Sequence, residues 1–393
     1  MRLPTLTILT LALLVAATPA TLGAQESTLA QEPTEAQPPR GEFGEELEVT
    51  EVLLDVLVTD RQGNVIIGLG PDDFVVEEDG RPVDVTGVSF YSNRRLAGPA
   101  PADLEGRLDI ETLPEDRYFI LLFEDQRQKA ADTGVDVVRQ QLDAARFAKQ
   151  WVERELLPND WVAVASYDFK LKLQTDFTRD EKTLVKAIDA AMKGRDTGST
   201  WPSRTREAAA SGAPSLAAGL PAGDELRKAS LRIYDAIGLL ADAAGEIRGR
   251  KNLLLFTTGF GQINNVGQYL QDPRYYPPMM QALNDNNVAA YTIDLTPNNV
   301  DHVMSDAMNQ LAEETGGEYY FNFTNFLTPL TRIAEENNGY YLLAYQSRHP
   351  RGESGYQKVL VRTENPQFRV KAREGYVYGQ GPSERGLSSA IGD

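Results

Sequence analysis

No cysteine occurs in the 393 residues, which excludes disulfides, thiolate catalysis and cysteine-ligated metals. A cysteine-free exported protein must draw its stability from its core. Histidine is nearly as scarce, with only His302 and His349. Two histidines cannot make a multi-histidine zinc site, and a Ser-His-Asp triad would have to use one of them. His302, near Asp301 and Asp306, could serve as a base, and its plainer reading is a loop or helix-surface histidine. No phosphate loop, Gly-x-Ser-x-Gly elbow or His-Glu-x-x-His stretch is present. Positive charge is also short, 39 Lys and Arg against 57 Asp and Glu, a net −18. That balance repels nucleic acid and anionic membranes, and suits cationic partners or plain solubility. Long apolar runs are missing too. Leu6 to Ala17 falls short of the roughly 20 residues that a membrane span needs.

What that run does fit is a secretory signal: Arg2 before it, small residues after it, and cleavage after Ala20 or Ala24. Residues 1–24 are therefore expected to be a signal peptide, which makes the mature protein periplasmic or extracellular. Residues 25–46, rich in Gln, Glu and Pro without periodicity, read as a disordered leader. Residues 47–92 read as a β-module: strands over Leu47–Thr59, Asn64–Ile67, Phe74–Glu78 and Val83–Tyr91, with a hairpin turn at Asp79-Gly80. Residues 93–114 form a linker.

An α/β pattern follows over 115–339. Arg117-Tyr-Phe-Ile-Leu-Leu-Phe-Glu-Asp125 is a nearly unbroken apolar run ending in two carboxylates, as the central strand of an open parallel sheet reads. Further strands are predicted at 161–166, 252–256, 288–293 and 318–321, with a short edge strand at 170–175. Helices are predicted with Val138, Leu142, Ala145, Ala148, Val152 and Leu156 along one side, and with Leu184, Ile188 and Ala191 behind a Thr178/Glu181 capping box. Further helices are expected at 226–247, 280–283, 305–314 and 326–336. Residues 194–223 and 260–278 read as long loops. The tail returns to strands at 340–345, 357–362 and 368–372, and 379–393 reads as a flexible end. Neither group of outer strands can hide two apolar faces alone. Residues 340–378 are therefore expected to pair with 47–92 in one small β-sandwich, with the α/β unit inserted between its halves. The alternative is a separate N-terminal module and a hairpin extending the α/β sheet.

A set of short motifs runs through the chain: Val56 to Asp60 with Gly63, Leu69 and Asp72 to Phe74, and Glu78 to Gly80. Gly249 to Asn252, Leu311 to Gly317, Tyr340 to Tyr345 and Arg373 to Tyr376 continue the pattern. With these marks, Tyr118 to Phe321 resembles a von Willebrand factor type A domain, and the whole of about 48–378 is similar to VWFA-related proteins of the Acidobacterial type. The resemblance implies a Rossmann-like sheet wrapped by helices and a role in adhesion or assembly. It also implies a Mg²⁺ site after the first strand, built on Asp-x-Ser-x-Ser, a loop Thr and a further Asp. Here that site is degenerate. Counted from Asp125 the serine positions hold Arg127 and Lys129, and counted from Glu124 they hold Gln126 and Gln128. Thr200 could be the loop Thr, and Thr258 stands where the last Asp is expected. No cofactor is expected, with Mg²⁺ or Ca²⁺ the exception if Glu124 and Asp125 joined Asp168 and Asp294 in a rearranged site.

Aromatics in the loops offer partner contacts: Trp201, Tyr275 and Tyr276. The reading that follows is a non-enzymatic module binding a protein or cell-surface ligand at its loop face, with no catalytic residue assigned. The alternatives are a hydrolase using carboxylates at the strand ends, such as Asp168 with Asp294, and a structural component of the envelope.

Overall fold

A computed structural model describes residues 47–92, 116–126, 135–193, 213–297, 302, 304–350 and 354–378. The first described stretch holds β1 (Leu47–Thr59), β2 (Phe74–Glu78), β3 (Arg81–Val83) and β4 (Val85–Ser92). The α/β part runs β5 (Arg117–Glu124), α1 (Val135–Arg154), β6 (Asp160–Tyr167), β7 (Leu171–Thr178), α2 (Glu181–Lys193), α3 (Gly223–Ala229) and α4 (Ile233–Ala243). It continues with β8 (Lys251–Thr257), β9 (Gln262–Ile263), β10 (Tyr269–Leu270), α5 (Tyr276–Asp285), β11 (Val288–Asp294), α6 (Ser305–Glu314), β12 (Tyr319–Tyr320) and α7 (Leu327–Glu336). The last strands are β13 (Gly339–Pro350), β14 (Gly355–Thr363), β15 (Arg369–Lys371) and β16 (Gly375–Tyr378). The expected signal peptide, leader, linker and tail lie outside the described residues.

The apolar run of β5 needs two covered faces, because successive side chains point to opposite sides. Ile120 and Leu122 pack with Ile237 of α4 and Leu283 of α5. Phe119, Leu121 and Phe123 pack with Trp151 of α1, Ile188 of α2 and Ile333 of α7. The sheet order is β12-β11-β8-β5-β6-β7, parallel except for β7, which is antiparallel to β6. This is a Rossmann-like sheet between two helical layers.

The outer strands form two antiparallel sheets, β15-β1-β13-β4 and β16-β14-β2-β3. Each joins strands from both ends of the chain, as expected, and their facing sides share one core that includes Leu54, Val76, Phe90, Tyr341, Leu343 and Val361. Inside it the Glu78 carboxylate accepts from Tyr345 (3.1 Å), Ser347 (2.7 Å) and Tyr376 (2.5 Å). His349 lies 3.0 Å from Ser347 Oγ and stacks on Tyr378 at 3.8 Å.

Several local expectations are corrected. Asn64–Ile67 is no strand. Val65 makes one bridge to Thr59, while Asp60 accepts from the main chains of Gln62 and Asn64 and closes a turn instead. The strand read at Val83–Tyr91 breaks at Asp84, so β3 and β4 serve different sheets. On α1 Ala145, Ala148 and Val152 are buried as expected, joined by Val137, Ala144 and Trp151, while Leu142 is 56% exposed. The cap of α2 is Asp180, whose carboxylate accepts from the Thr183 amide at 2.8 Å. The long helix read at 226–247 is two helices, split where buried Ser230 accepts from the Leu171 amide and donates to the Leu226 carbonyl. Helix α5 begins at Tyr276, four residues before the expected start at Met280.

Where the sandwich meets the α/β sheet, Asp55 of β1 is buried. It accepts from Asn287 Nδ2, and Arg250, Lys251 and Arg373 surround it. Burial pushes its carboxyl pKa up against those three cations. The Arg373 guanidinium donates to the carbonyls of Asn284 (2.7 Å) and Leu53 (2.8 Å). That of Arg250 donates to Gly316 O at 2.6 Å. Lys251 Nζ donates to Ile247 O at 2.8 Å, and burial lowers its pKa to about 8. A lowered lysine pKa costs stability while the folded state must keep the proton, and the cost vanishes once pH exceeds the unfolded value. Between pH 8 and 10.5 the wild type is therefore expected to gain stability relative to Lys251→Met, by about 1 kcal/mol per pH unit. Urea unfolding of both proteins across that range checks this; a constant difference would refute it.

Candidate functional site

The carboxyl ends of the parallel strands carry most of the residues singled out above. Glu124 ends β5, Tyr167 ends β6, Thr257 ends β8 and Asp294 ends β11. Glu124, Asp125, Gln126, Thr257 and Thr258 are all buried. Asp125 N–H donates to Tyr167 O at 2.8 Å, which ties the β5 exit to β6. The centre of the cluster is Gln126, wholly enclosed. Its Nε2 donates to Glu124 O (3.1 Å) and Glu124 Oε2 (3.3 Å), and its Oε1 accepts from Thr258 Oγ1 at 2.8 Å. Its own amide N–H donates to Gln141 Oε1 of α1 at 3.0 Å. Thr257 donates its hydroxyl proton to the same Glu124 oxygen and accepts from Gly259 N–H at 2.8 Å.

A divalent cation needs oxygen lone pairs converging on one point. At this place Glu124 faces two donors, Thr258 is turned to an amide oxygen, and an –NH₂ group points at the carboxylate. The described residues do not fit a metal here. Asp168 and Asp294 do not complete one either. Lys172 Nζ holds Asp168 Oδ2 at 2.6 Å. Asp294 accepts from Thr296 N–H (2.7 Å) and Tyr319 OH (2.8 Å), with the His302 ring 3.1 Å away. Among the described residues no three His, Asp or Glu side chains come together as a metal-holding group. Thr200 and Trp201 lie outside the described residues, as do Arg127 and Lys129.

Among the described residues neither histidine is set up as a base for a nucleophile. His302 Nδ1 accepts from Met304 N–H at 3.3 Å and Nε2 faces Asp294. His349 does neighbour a serine, but Ser347 gives its proton to Glu78, and all three are buried between the sheets.

Beside Glu124 and Thr258 opens a cavity of about 760 Å³, bounded by Arg232 and Tyr234 of the α4 start, Phe260, Asp272 and Tyr275. The Tyr275 ring carries the guanidinium of Arg232 at 4.1 Å and that of Arg274 at 5.0 Å. Arg274 is held by Asp272 at 3.1 Å, and its hydrogen bonds keep the Asp272 carboxyl below its usual range. Tyr276 points the other way. It is 2% exposed and its hydroxyl donates to Glu314 at 2.9 Å, so of the two tyrosines only Tyr275 borders the cavity. Gly261 keeps the wall thin: φ is +138°, and a Cβ would lie 2.4 Å from the Tyr269 ring.

The rim is apolar. Phe169, at φ +62° in the β6–β7 turn, is 62% exposed, and Leu231, just after the Ser230 break, is 59% exposed. Beyond them the β9–β10 hairpin carries Val266, 77% exposed, near a tip in which Asn264 Oδ1 accepts from Val266 N–H and Gln268 N–H. Sequence reasoning missed these residues. Phe169, a bulky side chain squeezed between Asp168 and Lys170 in a tight turn, was the available signal.

Removing the Gln126 amide takes one donor from the buried Glu124 carboxylate, which keeps Thr257, and takes the acceptor from the buried Thr258 hydroxyl, so Gln126→Ala is expected to cost ~3 kcal/mol. Chelating buffer is expected to leave the wild-type melting temperature unchanged. Denaturant unfolding and a melting curve with and without EDTA check both; a melting point that drops in EDTA would overturn the cation-free description.

No family model matches the chain, and no curated protein does. Solved structures share features of the fold at low similarity. Proximal thread matrix protein 1 from the mussel byssus aligns over 56% of this chain and 48% of its own length, at 13% identity and a TM-score of 0.34. The alignment thus spans about half of that protein. BatB, a conserved hypothetical protein from Bacteroides thetaiotaomicron, aligns over 56% of this chain and 98% of its own, at 13% identity and TM-score 0.34. The vWF domain of the type V pili tip protein Mfa5 from Porphyromonas gingivalis aligns over 56% and 95%, at 11% identity and TM-score 0.35.

Proposed function

We propose that the chain is a non-enzymatic interaction module of the VWFA-related type, exported by way of residues 1–24. It holds a protein partner against the carboxyl ends of β5, β6 and β8, and Gln126 occupies the place of a bridging cation. The observation that carries this reading is the exposed rim of Phe169 and Leu231 around a cavity whose wall is Tyr275 between two arginines. Large apolar side chains held out in water by a rigid frame gain free energy when a partner covers them, and tyrosine and arginine are the side chains that anchor such contacts. The frame is rigid here because strand ends and hydrogen-bonded turns position it. Among the described residues no helix is long and apolar enough to cross a membrane, which agrees with a module that meets its partner in solution or at a surface.

A photo-crosslinking amino acid at position 231 is expected to capture a partner in intact cells, with or without EDTA. The same probe at position 142, an exposed leucine on α1, serves as the control. Equal capture at both positions would refute the contact face, and capture abolished by EDTA would refute the cation-free mode.

A further inference from the structure

A second cavity, about 630 Å³, lies on the seam between the α/β unit and the sandwich, where α5 packs beside β16 and β14. It shares no lining residue with the strand-end cavity, and the inference below does not rest on the reading given above. Two amide side chains of α5 line it, and each has a polar atom with no hydrogen-bond partner. Asn284, 4% exposed, leaves Oδ1 unpaired, and Gln281 leaves Nε2 unpaired. A buried polar atom without a partner costs free energy in the empty protein, and a ligand that satisfies it recovers that cost.

The pair is informative because it is mixed, one acceptor and one donor. Residues three apart in a helix are neighbours on one face, with Cβ atoms about 5–6 Å apart. One residue of an extended strand offers the complement: its N–H and C=O point to the same side, as in the hydrogen-bonded pairs of an antiparallel ladder. The other wall is a face of the β14–β16 pair, where Tyr356 stands opposite Val377. Exposed Tyr356 and half-buried Val377 stand on this wall, and exposed Pro277 and Pro278 at the start of α5 stand opposite. Those four give apolar seats to side chains that alternate along a strand.

We propose that this groove binds an extended peptide segment of a partner protein, its main-chain N–H and C=O gripped by Asn284 and Gln281 of α5 and its side chains seated against Tyr356 and Val377. The test is calorimetric titration of the full chain with acetyl-Ser-Val-Leu-Val-Ser-amide. A companion peptide is N-methylated at its three central residues, which removes donors without removing side chains. Saturable binding to the wild type is expected, weakened about tenfold or more by N-methylation and by Asn284→Leu or Gln281→Leu, the loss of roughly one hydrogen bond. Each variant's melting curve shows that it is folded, and the methylated peptide tests the unaltered protein. Absence of saturable binding, equal binding of the methylated peptide, or undiminished binding to the folded Asn284→Leu and Gln281→Leu variants would overturn the proposal. So would acetamide competing as well as the peptide at equal concentration, since the site would then take small amides.

Discussion

Asp55 and the three cations around it are the contact on which the two halves of the architecture depend. Leu54 and Val56 face the sandwich core, so alternation turns Asp55 to the opposite side, toward the α/β sheet. A carboxylate in that position is tolerable only if it is paired, and Arg250, Lys251, Arg373 and Asn287 meet it there. The same groups hold backbone. Arg373 ties the end of α5 to β1, and Arg250 ties the start of β8 to the turn after α6. Space is tight as well: at Gly316 a Cβ would lie 2.8 Å from the Ala372 carbonyl carbon. A buried ion cluster adds little stability compared with an apolar contact, but breaking one partner out of it is costly. It therefore fixes orientation more than it adds strength.

This changes what the sequence resemblance marks. Gly249 to Asn252, Leu311 to Gly317 and Arg373 to Tyr376 gather at this junction, and the strand-end face draws on other residues. Glu124 is still at the end of the central strand, but an amide, two threonines and a main-chain carbonyl satisfy one another around it. What faces outward from there is an aromatic and apolar rim with two guanidinium groups.

The parts of the fold set by periodicity were legible. The run at 117–123 reads as a doubly covered strand because five consecutive apolar residues can be buried only between two layers. The pooling of outer strands follows from the same need to cover faces. Errors arose where a side chain bonds locally to the backbone or where helix phase is ambiguous. Ser230 ends a helix that hydrophobicity alone continues to Ile247. Leu142 loses its place in the core to Trp151, whose ring meets Phe119 edge to face, and to the buried alanines beside it. At the site, Glu124 and Thr258 were legible as residues but not as a closed set. Gln126 was counted only as a missing serine, since nothing local says that its amide reaches both of them. Tyr275 and Tyr276 cannot be separated by composition, and helix phase alone sends one outward and the other inward.

The pairing of β1 with β13 has a consequence for the order of folding. Val56 lies opposite Tyr341, so the first described strand waits for nearly the whole chain before it finds its neighbour. The α/β sheet is assembled from pairs much closer in sequence, such as β5 with β6. Contacts of low sequence separation form first, and distant ones bear the loop-closure entropy. Until residue 350 has emerged, β1 is an unsatisfied edge beside a nearly finished sheet. The sandwich thus closes after the α/β sheet, and a chain truncated before β13 leaves β1 with both edges open.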